Sequence, residues 1–524
     1  MIPLFNSAQV READKYAINK LGIPSILLME NAARSIYELI DKNFSGELVE
    51  KKAAILCGKG NNGGDGFALT RNFLINGFSV IVISIGAEKE LKGDALLNYI
   101  ILKKTAAVNK NLSLVNYKGV NSIKKAAGCD IIVDALLGTG AYCPLKEPYN
   151  TIIKYVNTLD AVKVAVDIPT GLNVDTGYGE TVFEADLTVS LAEFKAGLFY
   201  SKGYKFAGKV EKGSIGLGKE YFDSLNVENY LIEPEDVFTF LPEKEPDAYK
   251  YSAGKVLVIA GSRNFTGAAF LTTNAVMKSG AGACILAFPE SIKEIALQNL
   301  KMPTVFGYED NGRGCLTEDS VDSLMEKIEW ADAVALGPGI GREEETLAAV
   351  RKSIKKGKNK RFIIDADALY ALAGKEYTKI DLSGMILTPH YKEFADMLGI
   401  ELKELEENMP AYGRDFAVKN KCYLVLKGAP TITFTPNGDA IINSTGNPGM
   451  AKFGTGDVLT GFTAGMAAQH ITSEDAVLAS VYIHSLAADL LINEKTVYGM
   501  TSTDILENLP YAIKFIFDTF SPVS

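Results

Sequence analysis

Two glycine-rich stretches, far apart in the chain, carry residues of the type and spacing that chemistry needs. The first is Gly58-Lys59-Gly60-Asn61-Asn62-Gly63-Gly64-Asp65-Gly66, directly after the apolar run Ala53–Cys57. Its first six residues fit G-x-G-x-x-G, the dinucleotide fingerprint, at a strand-to-helix junction. Its interior does not suit that task. A pyrophosphate loop offers bare backbone N–H groups at a helix N-terminus, whereas here two asparagines and an aspartate crowd the turn, and Asp65 repels a phosphate. Amide oxygens and a carboxylate suit a cation or the hydroxyls of a ligand. Further along, Asp134 through Gly140 and Asp167 through Gly171 follow strand-like runs and belong with this loop, because ligands on parallel sheets gather beyond the carboxyl ends of strands.

The second stretch is Asn443 to Leu459, centred on Gly454-Thr455-Gly456-Asp457. Its glycines let the backbone close into an anion-binding nest where a helix starts. Asp457 stands at the edge, able to take a proton from a hydroxyl attacking a phosphoryl group held there. The plain structural alternative is a tight turn with a capping aspartate. Gly461 and Gly465 behind it read as close helix packing. Lys427-Gly428-Ala429-Pro430-Thr431, after the run Tyr423–Leu426, suits a nucleotide phosphate or is a surface lysine in a hairpin. Gly337-Pro338-Gly339 admits a ligand close to the backbone. Asp365-Ala366-Asp367 either supports magnesium or caps the next helix. His390 is a ring contact, His470 follows a helix, and His484, mid-helix among apolar residues, reads as a core histidine.

The elements that must position these residues alternate between strand and helix patterns. Helices are expected at Ser7–Asn19, with Ser7 as N-cap, and at Ile26–Asp41. Strands are expected at Ala53–Cys57, Val80–Ile85, Ile131–Asp134, Val162–Asp167 and Leu187–Leu191. A second alternating series has strands at Lys255–Ala260, Cys284–Phe288, Ala333–Leu336, Arg361–Asp365, Met385–Leu387 and Cys422–Leu426. Such alternation means parallel sheets covered by helices. Between the two series, Lys219 to Tyr251 loses its apolar period and holds the connection.

At 524 residues, two domains are expected. An apolar fraction of 47% with 23% charged residues marks a globular chain with sizeable cores. A net charge of −10 argues against non-specific nucleic-acid binding. Six scattered cysteines without a C-x-x-C pair and only three histidines argue for buried thiols and against zinc. With no cationic leader and no apolar run of membrane-spanning length, a cytoplasmic enzyme is expected, without membrane or nucleic-acid partners.

With these motifs assembled, the chain resembles, over almost its whole length, the bifunctional NAD(P)H-hydrate repair enzymes. These join an N-terminal epimerase domain to a C-terminal ADP-dependent dehydratase domain. The motifs are Gly60–Gly66, Asp134-Ala135-Leu136-Leu137-Gly138-Thr139-Gly140 and Asp167-Ile168-Pro169-Thr170-Gly171-Leu172, joined by Ala260-Gly261-Ser262, Gly337–Gly339, Asp365–Leu369, Thr388-Pro389-His390, Lys427–Ala429 and Gly454–Asp457. Where the family commonly has His-Lys-Gly-Ser, this chain has Tyr249-Lys250-Tyr251-Ser252.

The resemblance implies an α/β chain, with a Rossmann-like three-layer domain over residues 1–225 and a ribokinase-like α/β domain over 226–524. It implies that Asn61, Asn62, Gly63, Gly64, Asp65, Gly138, Thr139, Gly140, Ala141, Tyr142, Cys143, Pro144 and Asp167 contact the hydrated nucleotide. Asn62, Asp134 and Thr170 hold potassium, and Asp167 is the acid/base. In the second domain Ala268, Gly339, His390 and Asp457 contact the hydrate, with Asp457 as base. Lys427, Gly428, Ala429, Pro430, Thr431 and Gly456 hold ADP, which brings magnesium. A homo-oligomer is expected. Three other readings stay open: a ribokinase-like small-molecule kinase fused to a nucleotide-binding module, a binding module without catalysis, and a dehydrogenase using Gly58–Gly63 as a true fingerprint.

Overall fold

A computed structural model describes residues 1–140 and 144–521. The chain divides into two compact units, Pro3–Asn229 and Tyr230–Ser524 together with Met1–Ile2.

The first unit is built on seven strands: β1 (Lys52–Cys57), β2 (Ser79–Ser84), β3 (Leu112–Asn116), β4 (Ile131–Ala135), β5 (Val162–Val166), β6 (Leu187–Leu191) and β7 (Lys209–Gly213). All pair in parallel in the order β3-β2-β1-β4-β5-β6-β7. Ala53 through Cys57 are fully buried, and alternate residues feed different cores: Ala53, Ile55 and Cys57 one, Ala54 and Leu56 the other. Helical layers therefore cover both faces, which is why the strand reads as an unbroken apolar run. Strand order reverses between β1 and β4, and a crevice opens there beyond the carboxyl ends.

Four helices of this unit matter for the site: α1 (Ser7–Asn19), α2 (Ser25–Phe44), α3 (Asn61–Ile75) and α4 (Gly93–Ala106). Ser7 is not the cap of α1. Asn6 caps it, in a reciprocal box with Gln9. Ser7 instead donates from both its N–H and its hydroxyl to the Asp175 carboxylate, each at 2.7 Å. The expected strands all form within two residues of their predicted ends. Edge strands β3 and β7 went unread because charged and polar residues, such as Lys209, Glu211 and Lys212, line half-exposed edges.

The second unit adds β8 (Lys255–Ile259), β9 (Ala283–Pro289), β10 (Thr304–Tyr308), β11 (Ala333–Leu336), β12 (Arg361–Ile364), β13 (Ile386–Leu387), β14 (Tyr423–Leu426), β15 (Thr431–Phe434) and β16 (Ala440–Asn443). They run in the order β16-β15-β14-β13-β12-β11-β8-β9-β10. Pairing is parallel except at β14–β15–β16, which form antiparallel hairpins. Here the order reverses between β11 and β8. The relevant helices are α5 (Thr266–Lys278), α6 (Tyr391–Leu398), α7 (Thr455–Ala467), α8 (Ser473–Leu491) and α9 (Ser502–Phe520). Gly461 and Gly465 let α7 lie against α5: a Cβ at Gly461 falls 1.9 Å from the Thr272 carbonyl oxygen, and one at Gly465 falls 2.0 Å from Ser279 Oγ. Strands β10, β15 and β16 were not anticipated. The last two sit behind Gly428-Ala429-Pro430, whose turn character concealed the strands that follow. Both units have the α/β folds expected of them. Among the described residues, no helix is long and apolar enough to cross a membrane.

Candidate active sites

In the first unit the glycine loop becomes the first turn of α3, with Gly60 at its N-cap. Its glycines serve packing. A Cβ at Gly58 falls 1.8 Å from the Leu136 carbonyl oxygen, one at Gly63 falls 2.1 Å from the Gly58 carbonyl oxygen, and one at Gly64 meets the Met29 side chain. Gly63 and Gly64 thus face protein rather than the cavity. The side chains between them do open onto it: Asn61, Asn62 and Asp65 line a cavity of about 470 Å³ together with Gly138, Thr139, Gly140 and Asp167. That volume suits a small-molecule ligand. Pro144 is not among the lining residues, and Ala141, Tyr142 and Cys143 lie outside the described residues.

Behind this wall, Asp134 and Thr170 are joined. The Asp134 carboxylate accepts from the Thr170 N–H and hydroxyl, each at 2.8 Å, and from the Leu136 N–H at 3.1 Å. The Leu137 N–H donates to Thr170 Oγ at 3.1 Å. Asp134 is fully buried, and burial pushes its carboxyl up to about 6 against those hydrogen bonds. This buried carboxylate has no ion-pair partner among the described residues, and with the Thr170 hydroxyl it offers oxygens of the kind that suit a monovalent cation. The Asn62 amide nitrogen is buried and has no hydrogen-bond partner among the described residues.

Asp167 closes β5 with a left-handed backbone, φ 70°, a conformation uncommon outside glycine and frequent at functional sites. Its carboxylate accepts from the Leu191 N–H at 3.1 Å and pairs with Lys195 Nζ at 2.5 Å. Lys195 is fully buried and also donates to the Leu191 carbonyl oxygen at 2.8 Å. Sequence reasoning did not single it out. Its position before Ala196-Gly197-Leu198, after an apolar strand, was the available signal. Asp14, from α1, also lines the cavity and was likewise missed. Asp14 keeps an exposed surface, yet desolvation among the cavity walls, then Asp167, push its carboxyl up to about 6 against the pull of Lys195. Asp65 is raised well above the usual range by burial, then by Asp167 and Asp14.

In the second unit the reversal point is stitched by two hydrogen bonds, Gly261 N–H to the Pro338 carbonyl oxygen at 2.7 Å and Ser262 Oγ to the Gly339 carbonyl oxygen at 2.8 Å. Gly339 abuts Ala268, since a Cβ on it falls 2.9 Å from the Ala268 Cβ. Gly454, φ 89°, is the N-cap of α7, Asp457 lies in its first turn, and the Thr455 N–H donates to the Lys452 carbonyl oxygen at 3.4 Å. Burial, then Asp365, push Asp457 up to about 6 against the pull of Lys427. Lys427 pairs with Asp365 at 2.6 Å, and Thr460 donates to the other Asp365 oxygen at 2.6 Å. Burial alone lowers the Lys427 pKa, but Asp365 and Glu393 outweigh it and raise it. A Cβ at Gly456 would sit in ordinary contact with Lys427 Nζ at 3.5 Å and Asp365 Oδ2 at 3.6 Å, so the first turn of α7 lies against that ion pair.

The hairpin Lys427–Thr431 follows β14, with Gly428 and Ala429 exposed, Pro430 buried and Thr431 Oγ donating to the Gly428 carbonyl oxygen at 3.1 Å. Its lysine is held by Asp365 rather than free at the surface. Asp367 does not act as a helix cap; Ala366 occupies that position. The Asp367 carboxylate pairs with Arg342 at 2.6 Å and accepts from the Gly341 N–H. With each aspartate of the pair engaged by a cation of the protein, and no cluster of three or more His, Cys, Asp or Glu ligands among the described residues, the pair does not fit a dedicated magnesium site. His390 caps α6, its Nδ1 accepting from the Glu393 N–H at 3.2 Å, and burial, then Lys427, lower its pKa. His484 is buried and held neutral, lowered to about 4 by burial. Its Nε2 and the Thr455 hydroxyl lack partners among the described residues.

Two family models match the chain: one described as YjeF-related protein N-terminus over residues 25–197, the other as NAD(P)H-hydrate dehydratase over residues 256–511. The bifunctional NAD(P)H-hydrate repair enzyme of Moorella thermoacetica is 32% identical, across 98% of this chain and 96% of that one. The enzyme of the same description from Salinibacter ruber is 34% identical, across 97% and 95%. Among solved structures, the ADP/ATP-dependent NAD(P)H-hydrate dehydratase of Bacillus subtilis, co-crystallised with ATP and Mg2+, is 30% identical and covers 55% of this chain and 98% of its own, with a TM-score of 0.48.

Proposed function

This chain belongs to the bifunctional NAD(P)H-hydrate repair enzymes, and from that membership we propose how its two sites divide the work. Hydration of the nicotinamide ring leaves a hydroxyl on the carbon beside the ring nitrogen, in R and S forms. The enzyme interconverts the two and dehydrates the S form back to NAD(P)H.

Epimerisation belongs to the first-unit cavity. Asn61, Asn62 and Asp65, with Gly138 through Gly140, hold the hydrated nucleotide there, and Asp167 exchanges protons with it. The joined Asp134 and Thr170, with Asn62, are the oxygen donors for potassium, which supplies positive charge to a buried carboxylate that otherwise lacks it.

Dehydration belongs to the second unit. Hydroxide is a poor leaving group, so the ring hydroxyl is first phosphorylated. Asp457 takes the hydroxyl proton as oxygen attacks the terminal phosphorus of ADP and the bond to AMP breaks. The N–H groups of Gly454–Gly456 stabilise the charge on the transferring phosphoryl group. Phosphate then leaves carbon, the nitrogen lone pair driving it out, and loss of the neighbouring carbon's proton restores the double bond. Ala268, Gly339 and His390 position the hydrate. Lys427 and the turn to Thr431 hold the nucleotide. Magnesium, carried on the nucleotide phosphates, neutralises their charge. The observation that supports this reading is a cluster of charged groups at the start of α7: Lys427 pairs with Asp365 at 2.6 Å, both act on the Asp457 carboxyl, and Gly456 lies against them.

The test uses separated R and S hydrates with ADP or ATP, with and without potassium. Wild-type protein restores reduced-nicotinamide absorbance from both epimers and releases phosphate. Asp167→Ala leaves the R form to its spontaneous rate while the S form is still repaired. Retention of a phosphorylated product in place of free phosphate would mark the chain as a small-molecule kinase.

A further inference from the structure

We propose that Asp14 is a second acid/base of the epimerase cavity, working with Asp167 so that each face of the reacting carbon has its own proton carrier. The inference rests on the epimerase reading of this cavity and adds a group to it.

Inversion at a carbon that bears a hydroxyl sets a geometric demand. If the oxygen departs from one face and water returns to the other, the departing oxygen needs a proton and the entering water must lose one. A single carboxylate on one side cannot serve both. Four carboxylates reach this cavity from different elements: Asp14 from α1, Asp65 from α3, Asp94 from α4 and Asp167 from the end of β5. They are not a loose acidic patch. The buried Asn62 amide, without a partner among the described residues, also lines the cavity, so polar groups are directed at a ligand.

Asp14 is held in place firmly enough for the role. Val10, Arg11, Asp14 and Ile18 all face the cavity, one side of α1. The helix is seated by the cluster of Phe5, Val10, Ala13 and Phe222, with the Phe5 and Phe222 rings edge-to-face at 4.9 Å. Its start is tied by Ser7 to Asp175, eight residues after Asp167. The charged groups facing Asp14 are Arg11 on its own helix, Asp65, Asp94 and Asp167 across the cavity, and Lys195 behind Asp167.

The carboxylates differ in kind. Asp167 is ion-paired to Lys195. Asp65 is buried and raised well above the usual carboxylate range by that burial. Asp14 is open to the cavity and titrates near about 6, where a group can both give and take a proton at working pH.

In one direction the Asp14 carboxyl gives its proton to the ring hydroxyl as the C–O bond breaks. The bonding pair leaves with oxygen as water, and the ring nitrogen's lone pair closes a C=N bond. A water on the opposite face then adds its oxygen to that carbon, the C=N pair returns to nitrogen, and the water's proton passes to the Asp167 carboxylate. The other epimer uses the same two groups in exchanged roles, and solvent resets their protons.

The experiment follows R-to-S conversion by chromatography in the full-length protein without nucleotide, so that dehydration does not intervene. Asp14→Asn is expected to lower kcat about 100-fold with KM nearly unchanged, and to remove the fall in kcat that wild type shows above about pH 6. Asp14→Glu is expected to restore a substantial part of the rate with a shifted profile. An Asp14→Asn enzyme with wild-type kcat, or one changed only in KM with its alkaline limb intact, overturns the proposal. Should Asp14→Asn fail to fold, a wild-type profile without that limb overturns it equally. If wild-type protein itself does not accelerate the conversion, the epimerase reading has failed instead.

Discussion

Both units start a helix from a glycine-rich turn beside a parallel sheet, yet the glycines answer opposite needs. Around Gly58–Gly66 the backbone is pressed against protein, with a Cβ at Gly58 or Gly63 falling within about 2 Å of a carbonyl oxygen. What faces the ligand there is side chain: Asn61, Asn62 and Asp65. At Gly456 the nearest atoms to a Cβ are the tips of Lys427 and Asp365, at 3.5 and 3.6 Å. Similar sequence motifs thus serve close packing in one case and contact with an ion pair in the other.

The sharpest way to break this contrast is to remove Asp457. Asp457→Asn is expected to cut dehydration of the S hydrate by roughly 1,000-fold while R-to-S conversion continues unchanged. Loss of both activities would mean that the sites are not separate. Dehydration should also fall about tenfold per pH unit below about 6, because Asp457 acts as a base only when ionised and burial has raised its pKa. A profile flat down to pH 5 would remove Asp457 from that role.

Next in size are the glycines themselves. Gly63→Ala drives a methyl into the Gly58 carbonyl, and an overpacking cost of about 1–3 kcal/mol should lower the melting temperature of the first unit by several degrees. Gly456→Ala should leave melting nearly unchanged and raise the KM for nucleotide. The reverse result, a thermally fragile Gly456→Ala and a tolerant Gly63→Ala, would invert the comparison.

The smallest effect concerns potassium. Asp134 is raised to about 6 in the folded state, so the stability tied to it is complete below its unfolded value of about 3.9 and is lost as pH rises through about 6. A cation beside the carboxylate favours its charged form and opposes that loss. Potassium should therefore raise the melting temperature at pH 7 by about 1–3 °C, and Asp134→Asn should abolish the gain. Equal melting in potassium and sodium would argue against the site.

How much of this was legible in the sequence follows from where each residue sits. Asp134, Asp167, Gly339 and Asp457 stand just after apolar strands or at a helix start, so strand periodicity located them. Asp14 lies on an amphipathic helix among Arg11, Glu12 and Lys15, where one more charge looks like solvated surface. Lys195 lies in an irregular segment whose burial comes from the chain folding back over it. Ser7 was mistaken for a cap because Asn6, an equally good one, precedes it by one position. Edge strands escaped because one side of each faces water and carries charge. Tertiary enclosure, which pattern alone does not encode, separates what was found from what was missed.

The unpartnered Asn62 amide has a consequence for selectivity. Leaving such a buried donor unmatched costs about 1–3 kcal/mol, so a ligand offering an acceptor at that point gains over one that does not by roughly 10- to 100-fold. A repair enzyme works amid a large excess of intact cofactor, which lacks the added oxygen. If that oxygen is what meets Asn62, undamaged molecules compete poorly for the cavity, and the rare faulty ones are drawn from the pool by a single unsatisfied N–H.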